Sequence, residues 1–144
     1  MNRDKDLNRC LSSVFDNLEK PDEVIVSDDS IDSQPTQVVV AKYPEVIYQK
    51  GPRRGLSSNR NACIKHSQSS HIIFIDDDVY VPPEFFATAR KIINSYGQKT
   101  IITGYEMKHL KTIQKIVPHN ADFWGLQRLP VENEYRAKIG RAHV

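Results

Sequence analysis

Apolar residues recur along the first hundred positions in two rhythms that alternate along the chain. Apolar spacing and helix-end residues predict helices over residues 6–19, 34–43, 57–67 and 83–96. Short apolar runs rich in β-branched residues predict strands over residues 23–27, 46–48, 72–75 and 100–103. Because strands that alternate with helices form parallel units, the sequence predicts an α/β fold with a mostly parallel sheet and helices on both faces.

The pattern changes at both ends of the chain. A parallel α/β domain normally opens with a strand, whereas this chain begins directly before a helix, so we expect its first strand to be missing. Residues 106–138 contain two prolines and no sustained period, and they predict loop with at most one helix. Residues 139–144 match the translation of a common sequencing adapter and are left out of the interpretation. The alternative is a genuine tail that matches by chance.

Carboxylates follow two of the predicted strands at the point where each strand ends. Asp28 and Asp29 follow the strand at 23–27, and three consecutive acids, Asp76–Asp78, follow the strand at 72–75. Open α/β sheets bind ligands at this edge. Three adjacent carboxylates repel one another, and a hard cation such as Mg²⁺ or Mn²⁺ would offset that repulsion. A solvated acidic turn is the alternative interpretation of the acid run.

Composition narrows the classes of function. A length of 144 residues with 39% hydrophobic content indicates one domain or part of one. The net charge of +2 is too small to predict a nucleic-acid partner. A local basic cluster exists nonetheless, and we expect either a solvated loop or added positive potential near a ligand from Lys50, Arg53 and Arg54.

The cysteines and the hydropathy of the chain indicate its cellular compartment. Cys10 and Cys63 are far apart and lack metal-ligand spacing, so the sequence predicts neither a disulfide framework nor a zinc site. A reducing cytoplasm fits this pattern best. No stretch approaches the roughly 18 apolar residues of a membrane span.

Four segments, taken in order, resemble the inverting family 2 glycosyltransferases with the GT-A fold. They are Leu11–Ser13, Glu23–Asp32, Asn59–Asn61 and Phe74–Pro82. The resemblance implies a Rossmann-like, nucleotide-sugar-binding GT-A half over residues 1–105 and the start of an acceptor-side region over 106–138. Met1–Arg3 is similar to the tail of the loop after the family's first strand, which normally lies between the strands at 23–27 and 72–75. Cys63 departs from the family's usual glycine.

The resemblance also implies roles for individual residues. Asp29, with Asp28 beside it, matches the acid that holds the nucleotide base, and Arg60 matches an arginine near the nucleotide. Asp76 matches the acid that approaches the ribose, and Asp77 matches the metal-binding acid of the Asp-x-Asp motif. Metal binding is therefore expected of Asp76, Asp77 and Asp78. Without the resemblance, a turn at the strand exit and a surface ion pair of Arg60 explain these residues as well.

The implied reaction moves a sugar from a nucleotide-diphosphate sugar, with a UDP-sugar expected, to an acceptor hydroxyl, with inversion and with Mg²⁺ or Mn²⁺ at the diphosphate. Inversion needs a general base, which the family supplies after the strand near Thr100. No catalytic residue is assigned, because no suitable sequence pattern surrounds the remaining acids Glu106, Asp122, Glu132 and Glu134. The acceptor is left open, as is membrane contact of a full-length parent protein.

Three other interpretations were compared. A phospho-receiver domain requires an acceptor Asp after a further strand, and Asp122 does not follow one. A GT-A-like nucleotidyltransferase shares the sheet and the acids with Mg²⁺ but usually has a Gly-rich, basic phosphate loop after its first strand, a region expected to be cut off here. Lys5 and Arg9 lie on the first helix without such glycines, which favours the glycosyltransferase. An inactive fragment that at most binds nucleotide is the third. Because the missing strand would leave ladder groups unpaired, we expect the isolated chain to be poorly soluble or partly unfolded.

Overall fold

The computed structural model describes residues 3–96, 107–109 and 113–115. The chain divides into two compact units, Met1–Gln98 and Lys99–Val144. The first unit contains the helices α1 (Arg3–Phe15), α2 (Gln34–Val40), α3 (Leu56–His66) and α4 (Phe85–Tyr96), and the strands β1 (Val24–Asp28) and β2 (Val46–Lys50). In the second unit, β3 (Met107–His109) pairs with β4 (Ile113–Lys115) in antiparallel fashion.

The two strands of the first unit form a parallel ladder that runs from Val24 opposite Val46 to Asp28 opposite Lys50. Helix α2 connects them, as parallel strands require a crossover. The predicted α/β class is therefore confirmed. The predicted domain boundaries stay predictions, and the predicted strand at 100–103 lies outside the described residues.

The main core forms where α1 and α2 cover this ladder. Its buried residues are Leu7 and Leu11 of α1 and Val39 and Val40 of α2. Their spacing of four residues in α1 places both leucines on one face of the helix. Partly buried side chains complete the layer: Phe15, Val24, Val26, Tyr43, Val46 and Tyr48.

Helix α1 ends earlier than its apolar pattern predicts. The expected end was residue 19, but the helix ends at Phe15, and Leu18 is 73% exposed. The Leu18 N–H donates to the Pro83 carbonyl at 2.9 Å, and Asn17 Nδ2 donates to the Pro82 carbonyl at 2.8 Å. These contacts with a distant segment replace the last helical turn, so the predicted extension was wrong.

The second core lies where α1 meets the segment leading into α4. Val14, Val81 and Phe86 are buried together. The Val81 N–H donates to Ser13 Oγ at 2.9 Å, so a polar side chain of α1 satisfies the backbone beside this core. The segment that follows the acid run is thus held against α1.

Residues 72–75 do not form the predicted strand. Within the described chain, the backbone of Ile72–Ile75 makes no hydrogen bond to another segment. The side chains of Ile72, Ile73 and Phe74 remain 40%, 43% and 45% exposed. A strand requires a neighbour for its N–H and C=O groups, and β1, which is paired with β2, does not reach this segment. The predicted strand at 72–75 was therefore wrong, because no segment in the described part of the chain pairs with these residues.

None of the helices in the described part of the chain is both long and apolar enough to cross a lipid bilayer.

Candidate functional site

A single open cleft of about 1420 Å³ brings the two acidic segments together. Every residue assigned to the site from the sequence contributes to its wall: Asp28, Asp29, Arg60, Asp76, Asp77 and Asp78. Asp29 and Asp77 were predicted to share a cleft, and the structure places both on this one. The basic loop residues Lys50, Arg53 and Arg54 do not contribute to the wall, and added positive potential near a ligand stays one of two alternatives for them.

Asp28 ends β1 with its side chain turned into the protein. Its Oδ1 accepts a hydrogen bond from the Ser30 N–H at 3.0 Å, and its Oδ2 accepts one from the Tyr48 hydroxyl at 3.1 Å. Burial alone would raise the pKa of Asp28, but the hydrogen bonds from Ser30 and Tyr48 outweigh burial and hold the pKa below its ordinary value. Asp28 therefore orders the strand exit as an ionised carboxylate, and its contact with a nucleotide stays a prediction.

Asp29 joins the loop after β1 to the loop after β2. Its Oδ1 accepts a hydrogen bond from the Arg53 backbone N–H, and the Arg53 guanidinium donates to the Ile31 carbonyl at 3.0 Å. Arg53 adopts a left-handed backbone conformation with φ 56°. The loop after β2 is thus folded onto the first loop by both the backbone and the side chain of Arg53. The first loop, which carries Asp29, lines one rim of the cleft.

The same rim depends on a close approach at Gly51. A Cβ at this position would lie 2.4 Å from Asn59 Oδ1 and 2.5 Å from Asp29 Oδ1. Asn59 is itself held by β1, because the Ser27 hydroxyl donates to Asn59 Oδ1 at 2.6 Å and Asn59 Nδ2 donates to the Ser27 carbonyl at 3.0 Å. Neither Gly51 nor Asn59 has a role predicted from the sequence, although a glycine directly after a predicted strand indicates a close backbone approach.

Replacing Gly51 with alanine is expected to lower the free energy of unfolding by about 1–3 kcal/mol, because the methyl group overpacks the rim. Urea denaturation followed by circular dichroism measures the change. Gly55→Ala is the matched control: φ is 88° there, but no atom lies within 4 Å of an added Cβ. That control should lose about 1–3 kcal/mol through backbone strain alone, because φ 88° with ψ 172° is a conformation that residues other than glycine rarely adopt. Unchanged stability of Gly51→Ala would contradict the close approach.

The opposite rim carries the acid run, and arginines contact it. Arg60 Nη2 lies 3.4 Å from Asp76 Oδ1, with the Arg60 guanidinium 5.6 Å from the centre of the Phe74 ring. Arg3 Nη1 lies 3.2 Å from Asp77 Oδ2. All four charged side chains are at least one-third exposed, so these ion pairs add little to stability. Arg3 was not predicted, because its proximity depends on how α1 packs.

The acid run does not form a closed metal cage. Across the described residues, no three His, Cys, Asp or Glu side chains converge to hold a metal ion. Asp76 and Asp77 nevertheless line the cleft, and their only carboxylate partners in the described structure are the two exposed arginines. Mg²⁺ binds through one or two carboxylates and completes its shell with water and substrate phosphates. The residues therefore fit a cation that arrives with a phosphorylated ligand, and metal binding by Asp76–Asp78 stays a prediction.

Cys10 lies directly behind the acids. Its side chain is buried, and its Sγ lies 3.6 Å from the Asp76 carbonyl oxygen. Burial, and after it the negative charges of Asp77 and Asp78, raise the pKa of the Cys10 thiol to about 11. Cys10 therefore packs as a neutral thiol at physiological pH.

The raised pKa predicts slow alkylation of Cys10. At pH 8 its thiolate is about a hundredfold scarcer than that of a thiol at the ordinary value of 9.0, and only thiolates react with iodoacetamide. Mass spectrometry of partly alkylated protein should show Cys63, which is half-buried, modified at least tenfold faster than Cys10. Equal rates in the folded protein would show that Cys10 is not held as described.

Comparison with known proteins agrees with this architecture. The sequence model of the family described as Glycosyl transferase family 2 matches residues 1–136. No curated protein and no solved structure matches the chain significantly. The family match spans both acidic segments and the arginine between them, and the family's GT-A, Rossmann-like fold agrees with the observed α/β arrangement. The chain therefore belongs to glycosyl transferase family 2.

Proposed function

We propose that this chain is the donor-binding part of a glycosyltransferase that moves a sugar from a nucleotide-diphosphate sugar to an acceptor hydroxyl, with inversion and with the help of a divalent cation. The family supports glycosyl transfer and nucleotide-sugar donors in general. The observation that carries the proposal is the shared cleft, in which Asp29 and Asp77 face the same space from two different segments.

Within this proposal, each residue has a role that its position favours. Asp29, in the loop after β1 that lines the cleft, accepts a hydrogen bond from a ring N–H of the nucleotide base. Arg60, whose planar fork of donors suits phosphate, neutralises the diphosphate, and Asp76 lies near the ribose. Asp77, flanked by Asp76 and Asp78, holds Mg²⁺ or Mn²⁺.

The cation, when bound, offsets the charge that develops on the leaving diphosphate. Arg3 forms an ion pair with Asp77, and Arg60 forms one with Asp76. If Asp76 and Asp77 held a cation, both arginines would be free to donate to phosphate oxygens. The same side chains would thus hold the acids before the donor binds and the diphosphate afterwards.

The proposal assigns no catalytic base. The acids considered for that role, Glu106, Asp122, Glu132 and Glu134, all lie outside the described residues. Donor binding is the activity proposed for this polypeptide. We also propose a cytoplasmic location, supported by two cysteines that are both free.

Calorimetric titration with UDP-glucose and with UTP, each in the presence of Mn²⁺, tests this function. The proposal expects UDP-glucose to bind at least as tightly as UTP, and UDP to compete with both, because the site recognises a base and a diphosphate. Binding of UTP at least tenfold more tightly than UDP-glucose would instead favour a nucleotidyltransferase. If neither ligand binds at millimolar concentration, the chain is a fragment without a donor site.

A further inference from the structure

Tyr48 reaches the end of β1 from the neighbouring strand, although it does not itself contribute to the cleft wall. Its half-buried ring packs against the core residues of α1 and α2. Its hydroxyl donates to Asp28 Oδ2 at 3.1 Å, and Gln37 Nε2 donates to that hydroxyl at 3.4 Å. A side chain with an apolar ring and a polar tip thus connects α2 and β2 to the carboxylate that ends β1.

Asp28 connects Tyr48 to the loop after β1. Asp28 is 7% exposed, and its Oδ1 accepts a hydrogen bond from the Ser30 N–H at 3.0 Å. The Ser30 hydroxyl also lies 2.8 Å from the Asp32 carbonyl oxygen. Asp29 lies between Asp28 and Ser30 in the chain, so the residues on both sides of it are held. The backbone that carries Asp29 is therefore tied to Tyr48 through Asp28.

Hydrogen bonds, and no cation of the described residues, hold the Asp28 carboxylate. The ion pairs in that part of the chain all involve other acids. The charged groups of the adjoining segments are Lys50, opposite Asp28 on β2, Arg53 on the loop after β2, and Asp29 and Asp32 on its own loop. The side chains by which α2 and α3 contact this end of the ladder, Gln37 and Asn59, are neutral amides. The Tyr48 hydroxyl is therefore a principal partner of this carboxylate.

Removal of the Tyr48 hydroxyl would take a donor away from a buried, charged oxygen. Such an oxygen is costly to leave unpaired, and protonation is the usual response. Burial raises the pKa of Asp28, and the hydrogen bonds from Ser30 and Tyr48 outweigh burial, so loss of one of them lets the pKa rise. A protonated carboxyl group accepts fewer hydrogen bonds than a carboxylate, and its hold on the loop would weaken.

We propose that Tyr48 is a positioning residue of the donor site, which directs Asp29 toward the nucleotide base by holding Asp28 as the acceptor for the loop. This role rests on the proposed function, in which Asp29 binds the base. The diphosphate end of the site does not belong to this network, because the described ion pairs of Asp76 and Asp77 lead to arginines elsewhere. Tyr48 should therefore affect recognition of the base and leave recognition of the diphosphate unchanged.

Calorimetric titration of Tyr48→Phe with UDP-glucose and with inorganic pyrophosphate, each in the presence of Mn²⁺, tests this role. The Kd of UDP-glucose should rise about fivefold or more, the size expected for a lost hydrogen bond to a charged group. The Kd of pyrophosphate, which has no base, should not change. Tyr43→Phe is the matched control, because it removes a hydroxyl that donates to the Asn8 carbonyl at 3.1 Å, and it should leave both affinities unchanged. Equal losses for the two ligands, or an unchanged affinity for UDP-glucose, would overturn the inference.

The pH dependence gives a second measurement. Carboxyl-carbon NMR should show that Asp28 takes up its proton at higher pH in Tyr48→Phe than in the unaltered chain, and Tyr43→Phe should not move this midpoint. If Tyr48→Phe does not fold, Asp28→Asn removes the acceptor of the same hydrogen bond and should weaken UDP-glucose binding while pyrophosphate binding stays unchanged. An unmoved midpoint in Tyr48→Phe would overturn this inference alone, whereas failure of the unaltered chain to bind UDP-glucose would overturn the proposed function as well.

Discussion

Replacing Asp77 with asparagine will remove the Mn²⁺-dependent part of UDP-sugar binding. A neutral amide is a much poorer ligand for a hard cation than a carboxylate, and Asp77 faces the cleft with an exposed arginine as its only carboxylate partner in the described residues. Calorimetry in Mn²⁺ should show at least a tenfold rise in Kd for UDP-glucose, while the weaker binding measured in EDTA should not change.

Two control variants separate the metal ligand from general charge. Glu45→Gln removes one negative charge from an exposed position outside the cleft and should leave both affinities unchanged. Arg3→Gln frees the Asp77 carboxylate without removing it, so the Mn²⁺ dependence should persist. A variant at Asp77 that keeps the full Mn²⁺ dependence would disprove its metal role.

Truncating Leu11 is expected to cause the largest loss of stability. Leu11 of α1 is 3% exposed and packs against α2 and the ladder. Leu11→Ala should therefore lower the free energy of unfolding by about 2–5 kcal/mol, through lost burial and the cavity left behind. Urea denaturation followed by circular dichroism measures the loss. If that variant does not fold, Leu11→Val gives a smaller step of the same kind.

The control for Leu11 lies on the same stretch of sequence. Leu18 belongs to the predicted apolar stripe but is 73% exposed, so Leu18→Ala should change the free energy of unfolding by no more than about 0.5 kcal/mol. Equal losses at the two leucines would mean that the chain in solution lacks the described core. That outcome would agree with the expectation of a partly unfolded chain, which stays a prediction.

Features that depend on local spacing were predictable from the sequence. The observed bounds of α1 and β1 lie within a few residues of the predicted bounds. Helix and strand periods are properties of neighbouring residues, so the sequence alone reports them. The acids after residues 27 and 75 share a cleft because the ends of parallel segments share an edge. The predicted end of α1 was wrong because it depends on a distant contact: Asn17 donates to a carbonyl 65 residues away in the sequence.

Other features depend on contacts that no local pattern reports. Arg3 reaches Asp77 because of how α1 packs, and Gly51 matters because Asn59 of α3 and Asp29 both approach it closely. Residues 72–75 show a further limit of sequence analysis. Their composition favours a strand, but strand formation is decided by whether a neighbour is present to pair with them.

The contacts of Asn17 and Ser13 have a consequence for mutagenesis. These two side chains of the α1 region hold the backbone at 81, 82 and 86, while Arg3, Arg9 and Cys10 touch residues 76–78. One helix, more than sixty positions away along the chain, therefore supports the whole stretch on which the acids are displayed. A mutant library limited to residues near the acids in sequence would therefore omit many of the positions that determine the orientation of the acid side chains.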